Sequence, residues 1–171
     1  MSYNVKKGGR EAQDQQKQFR TFEDLEVYQV ARELRKKMYG VTRRLPDFEK
    51  FELGRQIRRA AVSLTNNIAE GHGRYHFADQ VRFFLGSRGS LQELVDDINV
   101  CADENYLDPR EIEISKSDAW RVLGLINGYL RYLRDRKTRA QSLVREVYSK
   151  GSEDDKALAM LDEALSTAAP F

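Results

Sequence analysis

Apolar residues recur every three or four positions from Leu25 onward, in four runs separated by short polar or proline-bearing breaks. That period is the helical one. Leu25, Tyr28, Ala31, Leu34, Met38 and Val41 form the first stripe, which Pro46 in "RRLPDF" ends. Leu53, Ile57, Ala60, Ala61, Leu64 and Ile68 form the second, with a stop expected at Gly71 and a loop over "GHGR". Val81, Phe84, Leu85, Leu91, Val95 and Ile98 form the third, fading at "ADENYLDP". Trp120, Leu123, Ile126, Tyr129, Leu130 and Leu133 form the fourth, after the break at Asp108-Pro109. Short connections between long helices make sequential neighbours antiparallel. The expected fold is therefore all-α, an antiparallel up-down-up-down four-helix bundle.

The flanks lack this regularity. Residues 1–20 are polar without an apolar period, the pattern of a disordered tail. The expected organisation is that tail, a bundle over residues 21–137 and a C-terminal extension over 138–171. Within the extension, "TRAQSLVREVY" can simply prolong the fourth helix. Beyond Gly151, a serine and a run of acids lead into Leu158, Leu161 and Leu165, the pattern of a short amphipathic helix.

The second helix carries an ordered polar row beside its apolar stripe. Ala60, Ser63, Asn67 and Glu70 follow one another at three, four and three. The third helix has a matching small and polar set in Gly86, Ser87, Gly89, Ser90 and Glu93. A glycine inside a helix costs about 1 kcal/mol relative to alanine, and close approach of another backbone is the usual compensation. The two helices are expected to pack tightly here, with Asn67 and Ser63 or Ser90 exchanging hydrogen bonds and Glu70 or Glu93 taking donors nearby.

Composition narrows the chemistry. The chain has 171 residues and one cysteine, Cys101, so no internal disulfide and no thiolate cluster can form. No apolar run reaches the length of a membrane span, and the first residues have no signal-peptide core; a cytoplasmic setting without membrane contact is the expectation. No metal and no cofactor is expected. His72 and His76 are four apart, but glycines interrupt the helix between them and the chain has no third histidine. Ser63 has no histidine at a recognisable spacing, and the arginine-then-histidine signature of some helical-bundle ribonucleases is absent before both histidines. Without a complete catalytic constellation, no catalytic residue and no enzyme is expected.

The charge is nearly balanced at +2 but unevenly spread. From Arg131 to Lys150 seven basic residues (Arg131, Arg134, Arg136, Lys137, Arg139, Arg145, Lys150) face two acidic ones; from Gly151 onward five acidic residues face one basic. Such an alternation suits an anionic partner or self-shielding, and equally two ordinary solvated surfaces. A second concentration of charge lies around the opening of "RQIRRA" and after "NIAEG": Arg55, Arg58 and Arg59 on the outer arc of the second helix, then His72, Arg74 and Tyr75 in the loop, then Arg82 and Arg88. Arginine beside an aromatic ring suits phosphate pairing and base stacking.

Three stretches, "FEDLEVYQVARELRKKMY", "QIRRAAVSLTNNIAEGHGR" and "RFFLGSRGSLQELVDDINVCADENYL", resemble the four-helix bundle proteins known as intervening-sequence proteins of the bacterial large-subunit ribosomal RNA. The similarity runs from about Phe22 to Leu107. The bundle is also that of the accessory variability protein of diversity-generating retroelements, which partners a reverse transcriptase. The resemblance implies a barrel-like homopentamer with a basic surface, nucleic acid as ligand and no established enzymatic activity. Its motifs fall here on Gln56, Arg58, Arg59, Ser63, Asn67, Glu70, Gly71, Arg74, Ser90 and Glu93. Two departures stand out: Thr65 occupies a position where the family often has proline, which bears on any kink there, and the chain continues well past the bundle.

The leading expectation is a non-enzymatic, oligomeric, nucleic-acid-binding bundle, structured RNA ahead of DNA, with phosphate contacts from Arg58, Arg59, Arg74, Arg82, Arg131, Arg134, Arg136, Lys137 and Arg139. Ser63, Asn67, Glu70, Ser90 and Glu93 form the structural polar row. An accessory subunit docking on a reverse transcriptase or another nucleic-acid enzyme is the alternative, and a bundle whose polar row serves only self-assembly is the third reading.

Overall fold

The computed structural model describes residues 21–149; the tail expected over residues 1–20 and the acidic part of the extension lie outside them. A 3-10 turn, Phe22–Asp24, leads into α1 (Glu26–Arg44), α2 (Leu53–Gly73), α3 (Phe77–Asp103) and α4 (Pro109–Ser149), and the described residues hold no strand. The chain is all-α, a four-helix bundle.

Local chemistry sets each boundary. Thr21 opens the structure with a capping box: its hydroxyl accepts from the Glu23 N–H at 3.2 Å, and its own N–H donates to Asp24 at 2.8 Å. α1 stops at Leu45, held extended because Pro46 follows. α3 ends with Asn105 at φ 55°, while the Tyr106 N–H returns to the Cys101 carbonyl at 2.9 Å and the Asn105 N–H to the Ala102 carbonyl at 3.1 Å. That pair of bonds satisfies two carbonyls the helix end would otherwise leave open. α4 starts on Pro109, whose missing N–H costs nothing in a first turn, with the Asp108 carboxylate accepting from the Arg110 N–H at 2.9 Å.

One expectation about helix limits changes. α2 does not stop at Gly71; it runs through His72 to Gly73, and the break falls on Arg74, which is extended. Glycine at the last helical turn is tolerated because the backbone bonds continue there, with the Arg74 N–H closing on the Gly71 carbonyl at 3.4 Å. At the other end, α4 continues through residues 138–149, the prolonged fourth helix that this stretch of sequence allowed.

The core is one cluster drawn from all four helices, with Met38, Ile57, Leu64, Ile68, Phe84, Leu91, Leu94 and Ile126 fully enclosed. Most of the fourth stripe faces the core as read, with Ile126 and Leu133 buried and Leu123, Tyr129 and Leu130 packed partly buried against it; Trp120 is the member that does not. Ile112, Ser115, Ala119, Val122, Ile126 and Leu133 are the buried row, whereas Trp120 is 48% exposed. Weight given to the bulky indole hid the smaller Ala119 beside it, which sits on the 3–4 period shared by Ile112 and Ile126. Leu85 likewise faces out, and Gln80, Ser87 and Leu94 take buried places on α3.

Polar contacts cross between helices around this core. Arg44 grips Glu111 with both guanidinium nitrogens, Nη1 at 2.9 Å from Oε2, and this pairing holds the Glu111 carboxyl below its ordinary range. Lys37 meets Asp118 at 2.8 Å. Arg35 donates to the Thr65 hydroxyl at 2.7 Å, and that hydroxyl donates in turn to the Val62 carbonyl at 3.1 Å. Thr65 thus stays within a continuous α2, fully buried, and gives α1 a polar anchor.

Candidate nucleic-acid interface

Among the described residues the contact between α2 and α3 is the most extensive, and the polar row lies along it. The Ser90 hydroxyl donates to the Ser63 hydroxyl at 2.8 Å; the Asn67 amide donates to the Ser63 carbonyl at 2.8 Å and to its hydroxyl at 3.1 Å. One level further along, the Ser87 hydroxyl donates to the Leu64 carbonyl at 2.9 Å, fully buried. Gly86 lies directly against Asn67: a Cβ there would stand 2.9 Å from the Asn67 amide oxygen. Gly71 lies against α3 in the same way, with a Cβ falling 3.0 Å from both Phe83 Cβ and Phe84 Cδ2. An added methyl would crowd the facing helix at both points, against the Asn67 amide at Gly86 and against Phe83 and Phe84 at Gly71.

Not every member of the row joins these bonds. Glu70 is exposed and pairs with Arg74 four residues on, and Glu93 is exposed on the outer side of α3. Ser87, which the sequence reading grouped with the small residues but gave no role, is the most deeply buried hydroxyl of the contact.

The basic residues divide between the two ends of α2. Arg58 and Arg74 are separated by nearly the whole helix, roughly 24 Å at 1.5 Å per residue. Arg58 does not lie on an open arc. Its side chain is half-buried, and its guanidinium donates to the Lys50 carbonyl at 3.0 Å, fastening the α1–α2 connection. Arg59 is exposed beside it.

The opposite end gathers the rest. Arg74 lies over the Phe83 ring at 4.7 Å while pairing with Glu70. Arg136, from α4, lies over Phe77 at 5.4 Å and over Tyr132 at 5.7 Å. Phe77 opens α3, so this seat brings the basic stretch of α4 to the α2–α3 corner. Cation–π contacts of this kind are worth about 0.5–1 kcal/mol each at exposed sites, so they favour this seat for the arginine. Beneath it, Tyr132 packs on Tyr129, and Tyr129 stacks on buried Phe84 at 4.1 Å. Arg82, Arg131, Arg134, Lys137 and Arg139 have exposed side chains, Arg134 within 3.8 Å of Asp135. Tyr75 and Tyr132 leave 46% and 44% of their surface open. The end therefore combines cations held on rings with exposed rings and further cations along α4, an arrangement suited to phosphate and to the faces of bases.

The sequence reading missed the ring seats, although the four-residue spacing of Tyr132 and Arg136 on one helix is a legible signal. It also missed Asp97. That carboxyl is buried on α3 with one oxygen lacking a hydrogen-bond partner among the described residues. Desolvation, and then the charges of Asp96 and Glu93, push it up to about 6.

No arrangement for metal or thiol chemistry forms here. His72 lies on α2 and His76 immediately precedes α3, and no group of three His, Cys, Asp or Glu residues suited to a metal ion occurs among the described residues. Cys101 is fully buried, and its thiol is pushed up to about 11 by desolvation, with Asp97 adding to it. Among the described residues no helix is long and apolar enough to cross a membrane.

A family profile described as 23S rRNA-intervening sequence protein matches residues 23–128. No curated protein matches the chain. The matched span takes in α1 to α3 and the first half of α4, and it ends before the basic stretch from Arg131.

Proposed function

The chain belongs to the 23S rRNA-intervening sequence protein family, and we propose that it is a non-enzymatic nucleic-acid-binding member, taking structured RNA on the basic end where α4 meets the α2–α3 corner. In this reading the helices run antiparallel in up-down-up-down order. Pairings such as Ser63 with Ser90, Gly71 with Phe84, Lys37 with Asp118 and Arg44 with Glu111 support that order, since rising numbers on one helix meet falling numbers on the next. The copies assemble as a barrel-like homopentamer, as the family resemblance implies, and repetition of the basic end around such a ring multiplies the cations that one folded RNA meets.

The observation that carries the reading is the seat of Arg136 on Phe77 and Tyr132, because it adds the exposed cations of α4 to Arg74 and to open tyrosine rings. Contacts of this kind go to phosphates and ring faces, so they confer affinity with little sequence preference.

The test is binding to structured RNA and to duplex DNA across a salt series. Arg131→Ala/Lys137→Ala/Arg139→Ala removes exposed cations without touching a structural hydrogen bond. Weaker binding is expected, with a salt slope lower by about 1 for each phosphate no longer neutralised. Arg59→Ala, at the far end of α2, is expected to bind as the parent does. Equal weakening in both variants, or no binding by the parent at low salt, refutes the assignment of this end.

A further inference from the structure

Aromatic rings at the basic end form a ladder that runs outward from the core. Phe84 is fully buried, Tyr129 stacks on it with centroids 4.1 Å apart and planes 15° from parallel, and Tyr132 packs on Tyr129 at 5.8 Å. The ladder ends there. Tyr132 is exposed, with the Arg136 guanidinium 5.7 Å from its ring. A second open ring stands in the α2–α3 connection. Tyr75 is exposed and packs edge-to-face with His76 at 5.3 Å. Its neighbour Arg74 is held twice: its carbonyl accepts from the fully buried Gln80 amide at 2.7 Å, and its guanidinium lies over the Phe83 ring.

What such rings can hold depends on the state of the RNA. Phosphates line every strand, so the exposed cations of α4 meet paired and unpaired RNA alike. Bases are different. In an A-form duplex they are stacked on one another, behind a major groove too deep and narrow for side chains; in loops and bulges they can be splayed out onto an aromatic face. A tyrosine with rings packed beneath it and cations beside it offers such a face at little cost in ordering.

We propose that the basic end selects RNA with unpaired nucleotides, one base stacking on Tyr132 as the next rung of the ladder and another on Tyr75, while Arg131, Lys137 and Arg139 take adjoining phosphates. This selection rests on the nucleic-acid reading and narrows it, from folded RNA in general to a loop or bulge within it. Every base has a stacking face, so the choice is of unpaired over paired nucleotides and not of one base sequence over another. Each stacked base is worth roughly tenfold in affinity.

The full chain is titrated by fluorescence anisotropy against two labelled RNAs, a stem–loop and a blunt duplex with the sequence of its stem. The parent is expected to bind the stem–loop roughly tenfold or more tightly than the duplex. Tyr75→Leu/Tyr132→Leu, which keeps apolar side chains but no ring, is expected to bring the stem–loop down to the affinity of the duplex and to leave duplex binding and its salt slope unchanged. Tyr75→Phe/Tyr132→Phe is expected to keep the preference, which separates stacking from the hydroxyls and from a general disturbance of the fold. Equal affinity of the parent for the two RNAs, or a preference for the duplex, overturns the stacking and leaves the phosphate contacts standing; that comparison needs no variant. A leucine variant that keeps the preference, or that weakens both RNAs alike, overturns it as well. A parent that binds neither RNA at low salt removes the nucleic-acid reading and the stacking with it.

Discussion

Gly71→Ala puts the α2–α3 contact to the most direct test. In an open helix the change stabilises by about 1 kcal/mol, because alanine loses less conformational freedom on folding. Here the new methyl would stand 3.0 Å from Phe83 Cβ, 3.0 Å from Phe84 Cδ2 and 3.1 Å from Phe84 Cε2. Neither obstacle yields easily. Phe83 Cβ is fixed to the α3 backbone, and the Phe84 ring is fully buried with Tyr129 stacked at 4.1 Å and an interplanar angle of 15°. Restoring ordinary packing distance therefore requires the two helices to separate by about half an ångström, which stretches the Ser63–Ser90 and Ser87–Leu64 hydrogen bonds. Overpacking of this kind costs about 1–3 kcal/mol. Set against the propensity gain, the net is a loss of about 1 kcal/mol. Urea unfolding followed by circular dichroism reads the difference as a lower midpoint at unchanged slope. A midpoint equal to or above that of the parent refutes the close approach.

Four further substitutions probe three separate features. Gly124 and Gly128 have no atom within 4 Å of an added Cβ, so alanine at each is expected to raise stability by up to about 1 kcal/mol in urea unfolding; a simultaneous loss of assembly in sedimentation identifies that face as an interface between copies. Asp97 is raised in the folded protein from the ordinary carboxylate value to about 6, so the native state binds the proton more tightly and its contribution improves as pH falls from about 7 toward 4. Asp97→Asn is therefore expected to stabilise at pH 7 by about 2 kcal/mol and to flatten stability across that window, and an unchanged profile in denaturant titrations at several pH values contradicts it. Asn105→Gly is expected to add up to about 1 kcal/mol, since φ of 55° costs glycine nothing, and a lower thermal midpoint is the opposing result.

Much of this fold is written in the period of its apolar residues, and the exceptions share a cause. Stripe reading weighs bulk, so Trp120 and Leu85 drew attention away from Ala119 and Ser87, whose small side chains hold the central positions. The Gly71 boundary failed for a related reason: glycine signals a helix end only where no neighbour needs its missing side chain, and Phe83 and Phe84 need it. Local signals served better at Pro46 and Pro109, where the chemistry of the break is contained in a few consecutive residues. The basic end was less legible. Individual arginines are visible in any sequence, but their grouping depends on which helix ends meet. Arg58 matches the family pattern as Arg74 does, yet one fastens a connection through the Lys50 carbonyl while the other lies at the corner that α4 joins.

That division explains why a polar stretch such as "SLTNNIAEGHGR" sits in a helix facing the core. Ser63, Thr65 and Asn67 spend their hydrogen bonds on the neighbouring helices and on α2 itself, with Ser90, Arg35 and the α2 backbone respectively. Ser63 and the Leu64 carbonyl tie α2 to α3 and Thr65 ties it to α1, so a slide of α3 along α2 breaks two of these bonds together and a slide of α1 breaks the third. The corner at Arg74 thus has a fixed location relative to α3, and through Phe77 relative to α4. A phosphate-binding end built from exposed side chains on four freely sliding helices would not keep its cations in one geometry. If this end binds RNA as proposed, the polar row would contribute without touching ligand: Ser63→Ala/Ser90→Ala is expected to leave the exposed cations in place yet weaken RNA affinity by disturbing their mutual spacing. Its signature is weaker binding at an unchanged salt slope, whereas removal of the cations themselves lowers affinity and slope together. A variant that binds RNA as tightly as the parent would show that the row serves the bundle alone.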